Sequence, residues 1–182
     1  RVLGDARGLD GLPQLGEAFN PSWSPDGRSI AFAGIVNGLS DLYVYDLEGR
    51  LLQTVTDGRM NNVDLRDGFM VDGKARTLVA ASNRTDKSIA LYFLDPVTRK
   101  LSRAGDPVPT GFGDPYGLCM YAGATGHYVF VNNGGDGLFR QWRITAESGR
   151  AIAEQVREFP VGSQAEGCVA DDETGALYVA EE

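Results

Sequence analysis

The stretch Asp41-Leu-Tyr-Val-Tyr-Asp-Leu-Glu-Gly-Arg50 decides the fold, because the same unit returns twice further along the chain. It recurs as Ala90-Leu-Tyr-Phe-Leu-Asp-Pro-Val-Thr-Arg99 and, more loosely, as Phe139-Arg-Gln-Trp-Arg-Ile-Thr-Ala-Glu-Ser148. The three copies begin at positions 41, 90 and 139, so the period is 49 residues. Each copy is a short apolar run followed by a polar turn, which is typical of strands rather than helices.

A second strand precedes each of the three units, and a fourth such strand near the end of the sequence begins a further, partial repeat. The strands are Ser29–Ala33, Thr77–Ala81, Tyr128–Asn132 and Ala176–Ala180, and each follows a turn rich in Asp and Gly. A four-stranded unit with a period of about 40 to 50 residues is the signature of a β-propeller blade. The sequence therefore predicts an all-β chain of four-stranded antiparallel blades, with three blades and half of a fourth. Since propellers usually have at least about four blades, we expect the full protein to be longer.

Composition narrows the range of partners. The 182 residues carry 17 Lys and Arg against 25 Asp and Glu, which gives a net charge of −8. Nucleic acids favour basic surfaces, so we expect no nucleic-acid partner. No apolar run reaches the roughly 18 residues of a transmembrane helix, so we expect no membrane span.

Two cysteines, Cys119 and Cys168, leave two interpretations open. They could be small buried side chains or they could form a disulfide. Buried, unlinked cysteines are the simpler expectation. Without a CxxC motif or a His/Cys cluster, zinc is not predicted.

Strand polarity predicts where the polar side chains gather. Neighbouring strands of a blade run antiparallel, so the start of the first strand and the end of the second share one face of the propeller. Loop-borne polar groups on a rigid scaffold commonly form functional sites. The residues expected on this face are Asn61, Asn62, Asp64, Ser82, Asn83, Arg84, Asp114, Tyr116, Asn132, Asn133, Asp136, Gln164, Glu166, Glu181 and Glu182.

Three motifs on this face have both a functional and a structural interpretation. Asn62 and Asp64 could bind calcium, which prefers oxygen ligands, or could serve only in a turn. Arg84 could hold a phosphate or carboxylate, or could form a surface salt bridge. Glu166 and Glu182 lie on neighbouring strands, where two carboxylates could share a metal or stand apart in solvent.

From about Leu42 to Glu182 the chain resembles the β-propeller phytases. Several motifs occur in the order and spacing of that family. They are Tyr45-Asp-Leu-Glu-Gly-Arg50, Asn61-Asn-Val-Asp-Leu-Arg66, Ala80-Ala-Ser-Asn-Arg84, Asp114-Pro-Tyr-Gly-Leu118, Phe139-Arg-Gln-Trp142, Ser163-Gln-Ala-Glu-Gly167 and Leu177-Tyr-Val-Ala-Glu-Glu182.

The resemblance implies a six-bladed propeller with calcium ions on one face. It implies a secreted or periplasmic monomer that takes small-molecule substrates, the inositol phosphates. The enzyme would release phosphate from phytate by attack of metal-activated water. Arg84 and Tyr116 would bind phosphate, and with Glu166 they would form the catalytic set. The implied calcium ligands are Asn62, Asp64, Glu166 and Glu182.

The first blade departs from the family pattern. A paired-lysine motif expected after its second strand is replaced by Ala33-Gly-Ile-Val-Asn-Gly-Leu-Ser40, and a further expected lysine is Gly135. The stretch Phe19-Asn-Pro-Ser-Trp-Ser-Pro-Asp-Gly27 resembles TolB-like propeller repeats instead. We therefore divide the propeller domain, residues 1–182, into a TolB-like or hybrid blade at 1–58 and phytase-like blades at 59–182. The alternative function is a non-catalytic segment that binds a protein or ligand.

Overall fold

The chain folds into consecutive antiparallel sheets in the computed structural model, which describes residues 15–181. Blade 1 holds β1 (Leu15–Trp23), β2 (Ser29–Val36), β3 (Leu39–Asp46) and β4 (Leu51–Val55). Blade 2 holds β5 (Met60–Val71), β6 (Lys74–Asn83), β7 (Ser88–Leu94), β8 (Leu101–Arg103) and β9 (Val108–Pro109). Blade 3 holds β10 (Pro115–Gly123), β11 (Gly126–Asn133), β12 (Leu138–Glu147) and β13 (Arg150–Pro160). The half blade 4 pairs β14 (Ala165–Ala170) with β15 (Leu177–Glu181).

This arrangement confirms the predicted β-propeller architecture. Strands within each blade are hydrogen-bonded in sequence order, and every pairing is antiparallel. The short β9 adds to the same strand as β8, since both pair with β7. No helix long and apolar enough to cross a membrane occurs in residues 15–181.

The blades pack face to face through their middle strands. Every residue of β7 is buried, because each face of this strand meets a neighbouring blade. On one side Tyr92 belongs to the same core cluster as Val44 of blade 1, and on the other Leu91 belongs to the same core cluster as Met120 of blade 3. A fully buried Leu or Met contributes roughly 1.5–3 kcal/mol to stability. This shared core makes blades 1 to 3 a rigid support for the connections at their ends.

A disulfide joins blades 3 and 4, so the expectation of two unlinked cysteines was wrong. Cys119 on β10 and Cys168 on β14 are bonded, with their Cα atoms 5.5 Å apart. Both lie on the first strand of their blades, and these two strands are neighbours in the propeller. The bond closes a loop with a sequence separation of 49, which equals the spacing of the repeat.

Candidate active site

A cleft of about 490 Å³ opens at the face where the first strands of the blades begin. Four of the six predicted site residues line it: Asn62 of β5, Arg84 after β6, Tyr116 of β10 and Glu166 of β14. These residues come from blades 2, 3 and 4, as strand polarity requires. The geometry thus gathers a guanidinium, a phenol, a carboxylate and an amide at one opening.

Arg84 is held in a fixed orientation by its neighbours. Its Nε and Nη2 donate to the two carboxylate oxygens of Asp114, each over 2.6 Å. The guanidinium also lies 5.2 Å from the centroid of the Tyr116 ring. Because a guanidinium carries five N–H donors and two point at Asp114, three remain for a ligand. Arg84 thus forms a salt bridge, which was one of its two predicted roles. This salt bridge leaves N–H donors for another anion, so the second role stays possible for the same side chain.

Tyr116 and Glu166 interact across the boundary between blades 3 and 4. Burial raises the pKa of the Tyr116 hydroxyl, and the charge of Glu166 and a hydrogen bond to it raise that pKa further. The phenol therefore keeps its proton at neutral pH and can donate it in a hydrogen bond. Glu166 is exposed, so its carboxylate remains accessible from the cleft.

A chain of amides fixes the backbone beneath Tyr116. The Tyr116 carbonyl accepts hydrogen bonds from Ser82 Oγ at 2.7 Å and from Asn61 Nδ2 at 3.1 Å. Asn62 Oδ1 accepts from both Asn61 Nδ2 and Asn20 Nδ2, each at 2.9 Å. These bonds tie blades 1, 2 and 3 together at the rim. They also occupy the Asn62 amide oxygen, whose assignment as a calcium ligand stays a prediction.

Asp64 lies apart from the cleft and links blades instead. Its Oδ2 accepts from the Met120 amide at 2.8 Å, and its Oδ1 accepts from Arg66 Nη1 at 2.9 Å. Arg66 continues the link to blade 4, where its Nε lies 2.7 Å from Asp172 Oδ2. The geometry does not bring Asp64 together with the cleft residues, and its metal role remains a prediction. Glu182 lies outside the described residues.

Sequence reasoning missed two charged residues of the cleft, Arg59 and Glu17. Arg59 is exposed and precedes β5, while its backbone is anchored to the loop that carries Arg84. The Arg84 amide donates to the Arg59 carbonyl at 2.9 Å, and the Arg59 amide donates to Thr85 Oγ1 at 2.8 Å. Its position on the β4–β5 connection, which returns to this face, was the signal that could have found it.

The cleft offers the kind of ligand that calcium prefers, but only part of the number of oxygen ligands that calcium needs. Carboxylates of Glu17 and Glu166 line it, and calcium prefers such oxygens. Within residues 15–181, however, no three His, Cys, Asp or Glu side chains cluster as a metal site. Calcium usually takes about six to eight oxygens, so the described residues supply part of a coordination shell.

Comparisons with known proteins identify relatives of this chain. A family model described as Phytase matches residues 27–182. A 3-phytase from Bacillus subtilis (strain 168) is 40% identical over 153 residues, which are 80% of this chain and 40% of that protein. The chain thus spans about 40% of the length of this curated relative.

Two solved structures share the fold at low sequence identity. A periplasmic gluconolactonase from Pseudomonas aeruginosa aligns with a TM-score of 0.53 and 17% identity, over 91% of this chain and 56% of that one. A TolB protein from Agrobacterium tumefaciens aligns with a TM-score of 0.50 and 17% identity, over 90% of this chain and 57% of that one.

Proposed function

Because the chain belongs to the phytase family, we propose that it forms part of a calcium-dependent phosphomonoester hydrolase. The proposed substrate is phytate, myo-inositol hexakisphosphate, from which the enzyme releases phosphate. One observation carries the proposal: Arg84, Tyr116 and Glu166 line a single cleft although they come from three blades. A guanidinium and a phenolic O–H are donors suited to phosphate oxygens, and a carboxylate beside them suits a hard cation.

Arg84 is proposed to bind the phosphate group that is cleaved. Its three remaining N–H donors can bond phosphate oxygens while Asp114 keeps the guanidinium plane fixed. Pre-orientation lowers the conformational cost of binding, which is a general route to affinity. The Tyr116 hydroxyl stays protonated because its pKa is raised, and on binding its single O–H would turn from Glu166 to a phosphate oxygen, which would leave the Glu166 carboxylate free for a cation.

Arg59 is proposed to bind a second phosphate of the same substrate. It lines the cleft with Arg84, and no described acidic side chain forms a salt bridge with it. An unpaired guanidinium offers all five N–H donors. It would supply positive charge that the family's paired lysines, absent from blade 1, cannot supply here.

Glu166 is proposed to hold calcium at the cleft, together with oxygens from outside the described residues such as Glu182. Calcium, when bound, would offset the substrate charge and lower the pKa of the attacking water. This would let a chain of net charge −8 accept a polyanion.

The proposal is tested by phosphate release from phytate with calcium, and by calorimetric binding of phytate. We expect a calcium chelator to abolish release and to lower the melting temperature. We expect Arg84→Ala to weaken phytate binding more than tenfold. Arg157→Ala is the matched control, because Arg157 also stacks on an aromatic ring, that of Phe159, but lies outside the cleft.

Two results would contradict the proposal: unchanged activity in chelator, and equal phytate affinity in the Arg84 and Arg157 variants. The incomplete set of acidic ligands favours one second candidate, a segment that binds ligands without hydrolysis. Phytate binding that depends on Arg84, with no phosphate release in calcium, would support that candidate.

We also propose that the protein works outside the cytoplasm. The Cys119–Cys168 disulfide supports this, because such bonds persist mainly in oxidising compartments.

A further inference from the structure

A larger cleft, of about 660 Å³, lies at the opposite face of blades 1 and 2. Its walls are the β1–β2 turn, the β5–β6 hairpin and the β7–β8 turn. Three cationic side chains line it: Lys74, Arg76 and Arg99. None of the three forms a salt bridge within residues 15–181. Three cations without an ion pair thus converge on one concave surface.

Arg99 adopts a backbone conformation that two other turns of this chain give to glycine. In its turn, the Arg99 amide donates to the Asp95 carbonyl at 2.8 Å, and Arg99 has a φ of 57°. The β14–β15 hairpin has the same bond from the Gly175 amide to the Asp171 carbonyl, with φ of 71° at Gly175. In the β3–β4 turn of blade 1, Gly49 has φ of 86° and its amide donates to the Asp46 carbonyl at 3.1 Å. A side chain costs conformational free energy in this region, so its presence points to a role.

The Arg99 side chain reaches across the cleft. Its Nη1 donates to the Arg28 carbonyl of blade 1 at 3.2 Å, so the guanidinium spans the two walls. On the blade 2 side, the Arg76 guanidinium lies 5.3 Å from the centroid of the Phe93 ring, which restricts its orientation. The carbonyl and the ring thus position both guanidinium groups without an ion pair, while Asp26 lies within electrostatic range of Arg99 and Asp95 within that of Arg76.

The two carboxylates of the cleft are already engaged by neutral donors. Asp26 accepts from Ser24 Oγ at 2.6 Å and from the Arg28 amide at 3.0 Å, and these bonds lower its pKa. Asp67 accepts a hydrogen bond from the Thr77 hydroxyl. When the nearby Arg28 and Asp95 are counted with the lining residues, four cations face three carboxylates, so the cleft keeps a net positive charge.

We propose that this cleft is a second anion site, which binds a phosphate group through Lys74, Arg76 and Arg99. A phosphate dianion matches guanidinium donors in geometry and is attracted by the net positive charge of the cleft, so binding is favourable in both respects. The phosphate can come from two sources, free inorganic phosphate or an inositol phosphate.

The test is a ¹⁵N-labelled chain titrated with inorganic phosphate and, separately, with phytate, at an ionic strength held constant with sodium chloride. We expect shifts in the amides of residues 74–77 and 97–99. Saturation by inorganic phosphate alone assigns the free ion as the ligand, and saturation only by phytate assigns the inositol phosphate. Arg99→Gly should weaken this binding at least fivefold without lowering the melting temperature, because glycine suits the turn.

Lys100→Ala is the matched control, since it removes the same charge from an exposed neighbour outside the cleft. Arg84→Ala separates the two sites, because it should spare the shifts in residues 74–77. The inference is overturned if neither probe shifts these amides, or if Lys100→Ala weakens binding as much as Arg99→Gly does.

Discussion

Replacing Gly117 with alanine should both destabilise the chain and open the cleft. Gly117 follows Tyr116 on β10, at the point where blade 3 meets blade 4. A Cβ atom there would lie 2.7 Å from Gly167 Cα and 2.9 Å from the Glu166 carbonyl oxygen, and would also strike Asn132 Oδ1. Two of these three contacts are with backbone atoms, which cannot swing away. Relief therefore requires blades 3 and 4 to separate.

The cost can be worked from these contacts. Overpacking a tight site costs about 1–3 kcal/mol. Separation would also weaken the 2.7 Å bond from Asn132 Nδ2 to the Ala165 carbonyl, and a buried group left unsatisfied costs about 1–3 kcal/mol. Alanine reduces the freedom of the unfolded chain, which returns about 0.4–1 kcal/mol. The net loss should be about 2–4 kcal/mol.

The assay is urea unfolding of Gly117→Ala beside Gly113→Ala. Gly113 lies four residues earlier, and a Cβ atom there would meet nothing within 4 Å. We expect the free energy of unfolding of Gly113→Ala to lie within about 0.5 kcal/mol of that of the parent chain. Equal stability of the two variants would refute the argument that close approach of the blades places Tyr116 beside Glu166.

Further predictions concern the links between blades and the electrostatics of the cleft. Cys119→Ser with Cys168→Ser should lower the free energy of unfolding by about 4 kcal/mol, from the entropy of a 49-residue loop, as urea unfolding would show. Asp64→Ala should cost about 2–4 kcal/mol by the same assay, because it leaves the Met120 amide without its partner and removes one of the two carboxylates beside Arg66; a loss below 0.5 kcal/mol would contradict its linking role. Glu166→Gln should lower the Tyr116 pKa toward about 10, because a neighbouring negative charge is removed, and ultraviolet titration against Tyr116→Phe measures this. Hydrogen bonds within the turn lower the pKa of Asp171, so its contribution to stability is present above about pH 4 and is lost as the pH falls through the folded-state pKa. The free energy of unfolding of Asp171→Asn should therefore change less between pH 5 and pH 2 than that of the parent chain.

The blades could be predicted from the sequence because each turn between their strands depends on a few neighbouring residues. Asp and Gly at turns such as Asp72–Gly73 favour positive φ, and both residues adopt it here. Strand polarity then placed Arg84, Tyr116 and Glu166 at one face. These predictions rest on periodicity and direction, which a sequence carries directly.

The contacts between blades could not be predicted in the same way. A register shift in β5 between Met60 and Val63 breaks the alternation of side chains, so Asn62 reaches the cleft while Asp64 turns to Met120. The disulfide had a signal that went unused. Cys119 and Cys168 are separated by one repeat length, which puts them at equivalent places in adjacent blades.

The most direct test is a crystal structure of the chain grown with millimolar calcium and soaked with inorganic phosphate. We expect one phosphate in the 490 Å³ cleft, bonded to the Arg84 guanidinium and the Tyr116 hydroxyl, with calcium at Glu166. Side chains of Arg84, Tyr116 and Glu166 directed to separate surfaces, or a cleft empty of phosphate at saturation, would contradict the account.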